Sequence, residues 1–178
     1  MFFNLLKHKN TAYISGVIAL ILLILLIVIN ALISNQANEC VIMHQLSFTK
    51  ERALSILAIW GKQGQTLFIK TIWIDYVFPL FYATFLSSLL AQQTEHLKNK
   101  FKGFALSYII TLPFIAAFFD MVENAYQIVQ VTDGINLPSW VFLMTSLASL
   151  IKWTCLAISL VIICILYRKS LLKKTPTC

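Results

Sequence analysis

The stretch AYISGVIALILLILLIVIN, from Ala12 to Asn30, contains no charged residue and is long enough to cross a bilayer as a helix. A transmembrane helix needs about 20 apolar residues. The basic residues Lys7 and Lys9 just before it also fit a signal peptide, but the apolar core of a signal peptide is shorter, about 7 to 15 residues, and no clean cleavage site follows. We therefore interpret this stretch as an uncleaved signal anchor.

The composition of the whole chain is that of an integral membrane protein. Of its 178 residues, 59% are hydrophobic and 12% are charged, whereas soluble domains have about 25% charged residues. The apolar stretches predict spans at about 12–32, 72–91, 104–124 and 140–167. The predicted fold is all-α: a polytopic membrane protein built as a four-transmembrane-helix bundle, with residues 1–178 forming a single membrane domain.

The orientation of the spans is predicted from the basic residues, which collect on the cytoplasmic side of short loops. The loop between the second and third spans carries Lys98, Lys100 and Lys102, and both termini are basic. The loop over 132–138 has no basic residue, and the outer segment 33–70 is long enough for its own basic residues to count little. We expect a multi-pass protein of the bacterial inner (cytoplasmic) membrane with both termini in the cytoplasm.

The net charge of +7 predicts membrane lipids as partners and not nucleic acid. The basic residues lie in short flanks without interleaved aromatic side chains, which favours anionic lipid headgroups. A membrane-protein partner or a homo-oligomer is a further candidate. Cys40 is the one cysteine expected outside, where it is either a free thiol, the interpretation that we favour, or part of an intermolecular bridge.

The outer segment contains a short amphipathic helix between spans one and two. Ser47 or Thr49 can cap its start, and Gly61 and Gly64 are expected to end it. Its interior is apolar, so the helix would lie on the outer membrane surface or over a pocket. We favour a connector at the membrane surface over a lid.

The stretch AAFFDMVENAYQ, from 116 to 127, places two acidic residues at the end of an apolar span. Because successive spans are antiparallel, Asp75, Asp120, Glu123 and Lys152 are predicted to share one layer near the outer face. An unpaired charge at the centre of a span costs about 2.5 to 3.5 kcal/mol, less near the interface. Pairing of Asp120 with Lys152 is therefore expected.

Helical spacing predicts which side chains face this layer. On span three, Pro113, Asp120, Glu123 and Asn124 share a face with two alanines, and span four carries a similar small or polar stripe around Lys152. On span two, Pro79 lacks the N–H that would bond the carbonyl of Asp75. The candidate cluster is Asp75, Tyr82, Asp120, Glu123, Asn124 and Lys152, with Pro79, Pro113, Gly61 and Gly64 in structural roles.

Three interpretations of this cluster stay open: a ligand or substrate site, an ion-pair network that only fixes helix register, and an incorrectly assigned topology. Glu123 and Asn124 also fit a polar helix end in the headgroup layer. The leading functional expectation is binding of a small polar or lipid-headgroup ligand by an accessory or transport-related protein. The alternatives are a membrane-embedded enzyme acting on lipid and a partner subunit whose charges serve assembly. Because the common enzyme motifs are absent, the sequence leans away from an enzyme.

No cofactor or metal site is predicted. Asp75, Asp120 and Glu123 offer oxygen atoms of the kind that bind hard cations, but Lys152 in the same layer would compete for them. His44 is the one histidine expected outside, and a lone loop histidine is expected to be solvated.

Five short motifs between Leu46 and about Trp153 give the chain a resemblance: F-T-x-E, W-G-x-x-G, I-D-Y-V-F-P-L-F-Y, D-M-V-E-N and S-L-I-K-W. In this order they resemble a family of small four-span bacterial integral membrane proteins. The resemblance implies no particular activity. It selects Gly61, Gly64, Asp75, Phe78, Pro79, Tyr82, Asp120, Glu123, Asn124 and Lys152. Gln65 departs from the pattern, which often has an arginine there.

Overall fold

The structure of the protein is a computed structural model that describes residues 5–37, 40–94 and 103–172. The fold is all-α, as the sequence predicts. Its helices are α1 (Lys9–Ala37), α2 (Val41–Gln45), α3 (Lys50–Thr94), α4 (Gly103–Asp133) and α5 (Ser139–Leu172). In the described part of the chain, four of these, α1, α3, α4 and α5, are long and apolar enough to cross a membrane. The protein is therefore a multi-pass membrane protein.

The long helices run up and down, each packed against its neighbours. Helix α3 is central and packs against α1, α4 and α5, while α4 also packs against α5. At Gly16, helix α1 approaches α3 so closely that a Cβ atom would lie 2.8 Å from the ring of Phe85. Glycine at this position therefore sets the distance between the two helices.

The outer faces of α1 and α5 are apolar and exposed. In the most apolar part of each of these helices, only 17% of residues are buried, against 44% in α3 and 39% in α4. A helix that is apolar on its exposed side is suited to lipid and not to water. Helices α1 and α5 thus form the flanks of the bundle, and α3 and α4 form its interior.

Helix α3 consists of two helical segments that meet at Gly61. The first begins after Thr49, whose Oγ1 accepts a hydrogen bond of 3.3 Å from the Arg52 N–H, as expected of a cap. Gly61 has φ 60° and ψ −175°, a conformation that is essentially restricted to glycine. The predicted helix end at Gly61 is correct. Gly64 instead lies inside the second segment, where a Cβ atom would be 2.9 Å from that of Trp60.

The first segment of α3 packs its apolar face onto the end of the bundle, and its role as a connector at the membrane surface stays a prediction. Ala53, Ile56 and Trp60 are 0%, 0% and 3% exposed. Lys50 Nζ donates hydrogen bonds of 2.8 and 2.7 Å to the carbonyls of Ile135 and Leu137 in the loop after α4. These contacts stabilise one end of the α4–α5 pair.

The second segment of α3 is longer than the predicted span. The sequence predicted a span over about 72–91 and assigned 33–70 to an outer segment, whereas this helix continues from Gly61 to Thr94. Gln65 stabilises the junction, because its Nε2 donates a hydrogen bond of 2.7 Å to the carbonyl of Leu57 at the end of the first segment. Helix α4 likewise extends to Asp133, beyond the predicted end near 124.

Candidate functional site

The polar stripes predicted on α4 and α5 are buried and face the interior of the bundle. On α4, Asp120 is 3% exposed and Glu123 and Asn124 are 0% exposed. On α5, Lys152 is 4% exposed, and the small residues of its stripe are buried with it: Thr145, Ser149, Cys155 and Ser159. The helical spacing therefore predicted the inward faces correctly.

Lys152 pairs with both acidic residues of α4. Its Nζ lies 3.0 Å from Asp120 Oδ1 and 2.6 Å from Glu123 Oε2. The predicted pairing with Asp120 is present, and Glu123 joins it as a second counter-charge. Because a buried charge without a partner is costly, this group of three residues, here called the Lys152 triad, links α4 to α5.

Tyr82 connects the Lys152 triad to α3. Its hydroxyl donates a hydrogen bond of 3.1 Å to Asp120 Oδ2, and the tyrosine is 6% exposed. Asp120 thus accepts from Tyr82 through one oxygen and contacts Lys152 through the other. One carboxylate therefore holds three helices in register.

Asp75 is linked to α4 through its main chain. Pro79 has no N–H to donate to the Asp75 carbonyl, and Asn124 Nδ2 donates a hydrogen bond of 3.2 Å to that oxygen. The acceptor that the sequence predicted to be free is thus satisfied by a side chain of the neighbouring helix. Asn124, a member of the predicted cluster, therefore also links α4 to the main chain of α3.

Two glutamines extend the polar stripe of α4 and were not singled out from the sequence. Gln127 Nε2 donates a hydrogen bond of 2.7 Å to Glu123 Oε1, and Gln130 Nε2 donates one of 2.6 Å to Thr145 Oγ1. Both side chains are at most 2% exposed. Their spacing of four and seven positions from Glu123 was a signal in the sequence that they share its face.

A cavity of about 540 Å³ lies beside the cluster. Asp75, Tyr82, Asp120 and Lys152 line it together with Gln127, whereas Glu123 and Asn124 do not. Its polar wall is completed by Asn30, Gln45 and Thr71. The apolar part of the lining comes mainly from Leu23, Leu26 and Ile27 of α1, Phe78 and Leu86 of α3, and Leu156 and Leu160 of α5. The predicted cluster therefore divides into residues that face a cavity and residues that lie behind them.

His44 is buried, so the expectation of a solvated loop histidine was wrong. It is 0% exposed, with its ring centroid 5.3 Å from that of Trp60 and 5.6 Å from that of Phe68. The end of the bundle closes over it because the first segment of α3 folds inwards. Burial lowers the pKa of His44 from 6.5 to about 4.

Among the described residues, no group of three or more histidine, cysteine, aspartate and glutamate side chains is arranged to hold a metal ion. Lys152 occupies the position where a cation would contact Asp120 and Glu123. Within the same part of the chain, Cys40, Cys155 and Cys164 form no disulfide.

Comparison of the chain with protein-family models, with curated proteins and with solved structures found no match. The features that bear on its function are the cavity, the charges that line it and the apolar surface of the bundle.

Proposed function

We propose that this multi-pass membrane protein binds a small polar or lipid-headgroup ligand in the cavity beside the Lys152 triad, in an accessory or transport-related role. The observation that carries this proposal is the cavity of about 540 Å³, which combines charged side chains with an apolar wall. Ligand sites are commonly concave and mostly apolar, with a few polar groups that fix orientation. Charged residues are rare inside the membrane because they are energetically costly there. Those that are present are therefore candidates for a functional role.

The exposed aromatic residues support a position of the cavity in one half of the bilayer. Tyr108 near the start of α4 is 58% exposed, and Trp140 at the start of α5 is 55% exposed. Tyr126 contacts Trp140, with ring centroids 6.5 Å apart. Tyr126 follows Tyr108 by 18 positions, roughly 27 Å along a helix, which is close to the thickness of a hydrocarbon core. Asp120 would then lie nearer to the Trp140 end, in a shallow layer.

The basic residues support the direction in which the bundle crosses the membrane. The end with the chain termini carries Lys7, Lys9, Arg168 and Lys169, whereas the loop over 134–138 has no basic residue. By the positive-inside rule, both termini are in the cytoplasm of a bacterium and the cavity faces the outer leaflet of the inner membrane. Reporter fusions after Gly134 should be exported and fusions after Lys100 should not; the reverse result would overturn this orientation.

The contacts of the cluster suggest a division of roles. Lys152 finds two counter-charges within its own chain, which removes the need for a partner subunit to supply one. The Lys152 triad then stabilises the bundle, and Asp75, which lines the cavity from α3, contributes charge for recognition. The ion-pair interpretation thus applies to the Lys152 triad, and the ligand-site interpretation applies to Asp75.

The proposal is tested by filling the cavity. Ala157 lines the cavity, whereas Thr154 on the same helix is exposed and does not. The Ala157→Trp variant should lose the molecules that copurify with the wild type in a neutral maltoside detergent, as measured by native mass spectrometry. Thr154→Trp is the matched control and should retain them. The proposal is rejected if wild type and Ala157→Trp carry the same bound molecules in the same amounts.

A further inference from the structure

We infer that the ligand of the cavity is an amphipathic primary amine: a protonated ammonium headgroup bound between α1, α2 and α3, with its hydrocarbon chain along the apolar wall. This inference rests on the proposed function and adds the chemical class of the ligand and its path of access.

The first observation is a pair of unpaired hydrogen-bond acceptors on the cavity lining. Gln45 is 7% exposed and lines the cavity, and its Oε1 has no hydrogen-bond partner in the described part of the chain. Asn30 also lines the cavity, and its Oδ1 is buried and likewise has no hydrogen-bond partner among the described residues. Buried acceptors without donors are unfavourable. An ammonium group carries three N–H donors and no acceptor, so it matches these oxygens.

The second observation is the balance of charge. Asp75, Asp120 and Glu123 share one cation, Lys152, which is already in contact with two of them. Asp75 lines the cavity on the side of α3, close to Thr71 in sequence and on the same lining. A cationic ligand would reduce the excess of negative charge, whereas a phosphate or carboxylate would increase it. Electrostatics and the free acceptors therefore favour the same headgroup.

The third observation is the apolar continuation of the cavity. Leu86 lines it 11 positions after Asp75 on α3, roughly 16 Å along the helix at about 1.5 Å per residue. Leu156 and Leu160 line it after Lys152 on α5. A ligand with only a polar headgroup would leave this apolar part unfilled. A hydrocarbon chain running towards Leu86 and Leu160 would bury its surface there.

The flanking helices provide a lateral opening. Helix α1 packs against α3, while α5 packs against α3 and α4, and the described residues of α1 and α5 have no extensive packing between them. Ile27 of α1 and Leu160 of α5 both line the cavity and are 58% and 50% exposed. The surface around the opening is thus apolar, as a path for an acyl chain from the bilayer requires.

The test compares three ligands with the same chain: dodecylamine, dodecanol and dodecanoate, titrated separately into protein in a neutral maltoside detergent and followed by native mass spectrometry. The amine should bind about ten-fold or more tighter than the alcohol, and the carboxylate should bind most weakly. Asp75→Asn should bring the affinities for amine and alcohol close together while leaving binding of the alcohol within about two-fold. Asp133→Asn, which changes an exposed acid at the end of α4, is the matched control and should retain the preference.

Gln45→Met provides a second variant, since it removes an acceptor without changing the charge of the cavity; it should weaken binding of the amine alone. Equal binding of the three ligands by the wild type would overturn the inference. The proposed function fails separately, if Ala157→Trp binds dodecanol as well as the wild type does. Displacement of dodecylamine by lysophosphatidylethanolamine, with its phosphate left outside the acidic part of the cavity, would identify a lipid source of the amine, and absence of displacement would identify a single-chain amine without a phosphate.

Discussion

Asn124 and Asp75 are joined by a hydrogen bond of 3.2 Å between a side-chain amide on α4 and a main-chain carbonyl on α3. The bond exists because Pro79, four residues after Asp75, cannot donate to that carbonyl. A break in the hydrogen bonding of one helix is thereby repaired by the next helix. The contact fixes α3 and α4 in register at the level of the cavity.

This contact predicts that the effects of two substitutions are coupled. Asn124→Ala leaves the Asp75 carbonyl without a donor and should lower the free energy of unfolding by about 1 to 3 kcal/mol. In a Pro79→Ala background the residue at 79 can donate instead, so Asn124→Ala should cost less. Unfolding in detergent, followed by circular dichroism, measures the four proteins of this cycle. Equal costs in both backgrounds would show that the two sites are independent.

The Lys152 triad predicts that removing its cation strongly destabilises the protein and that neutralising its two acids restores stability. Lys152→Met leaves two buried acids without their cation and should cost about 3 to 5 kcal/mol. Adding Asp120→Asn and Glu123→Gln removes those charges and should recover most of this loss. The single variant Asp120→Asn should be milder, because Lys152 keeps Glu123 at 2.6 Å. A triple variant no more stable than Lys152→Met would contradict the assignment of these residues as a paired group.

His44 predicts how stability changes with pH. Its pKa is lowered to about 4 in the folded protein, and an unfolded histidine has a pKa near 6.5. The unfolded chain therefore binds the proton first as the pH falls, so the stability contributed by neutral His44 is complete above about pH 6.5 and is lost between there and about pH 4. The total change is on the order of 3 kcal/mol.

The measurement is the apparent melting temperature in detergent across this pH range. His44→Phe retains an aromatic ring between Trp60 and Phe68 and should show a smaller decrease on acidification than the wild type. His8→Phe, at an exposed position, is the control and should follow the wild type. Parallel pH profiles for the wild type and His44→Phe would show that protonation of His44 does not contribute.

Substitution of Gly61 is predicted to lower stability through the backbone conformation alone. A Cβ atom there would meet no atom within 4 Å, so there is no steric clash with other residues. The conformation itself is unfavourable for any other residue, and Gly61→Ala should lower stability by about 1 to 3 kcal/mol. Gln63→Ala, an exposed position in the next turn, should have little effect. If both variants melt with the wild type, α3 can continue straight through Gly61.

The sequence by itself determined the class of the protein and the faces of its helices. Hydrophobic length specifies membrane spans, because the bilayer core has a fixed thickness. The period of 3.6 residues specifies which side chains share a face, and this placed Asp120, Glu123 and Asn124 together on the inward side of α4. Pro79 predicted a free carbonyl at Asp75, since the missing N–H is a covalent property of proline. Each of these depends on local geometry.

Only the tertiary structure decided which residues meet across helices. Helical spacing gives the direction of a side chain but not its depth relative to a neighbouring helix, so it could not show that Lys152 contacts Glu123 as well as Asp120. It also could not show that the first segment of α3 folds inwards over His44, because an amphipathic helix can bury its apolar face against lipid or against protein. The cavity arises where α1 and α5 flank the bundle without extensive packing between them, and such a space between distant parts of the chain leaves no local pattern in the sequence.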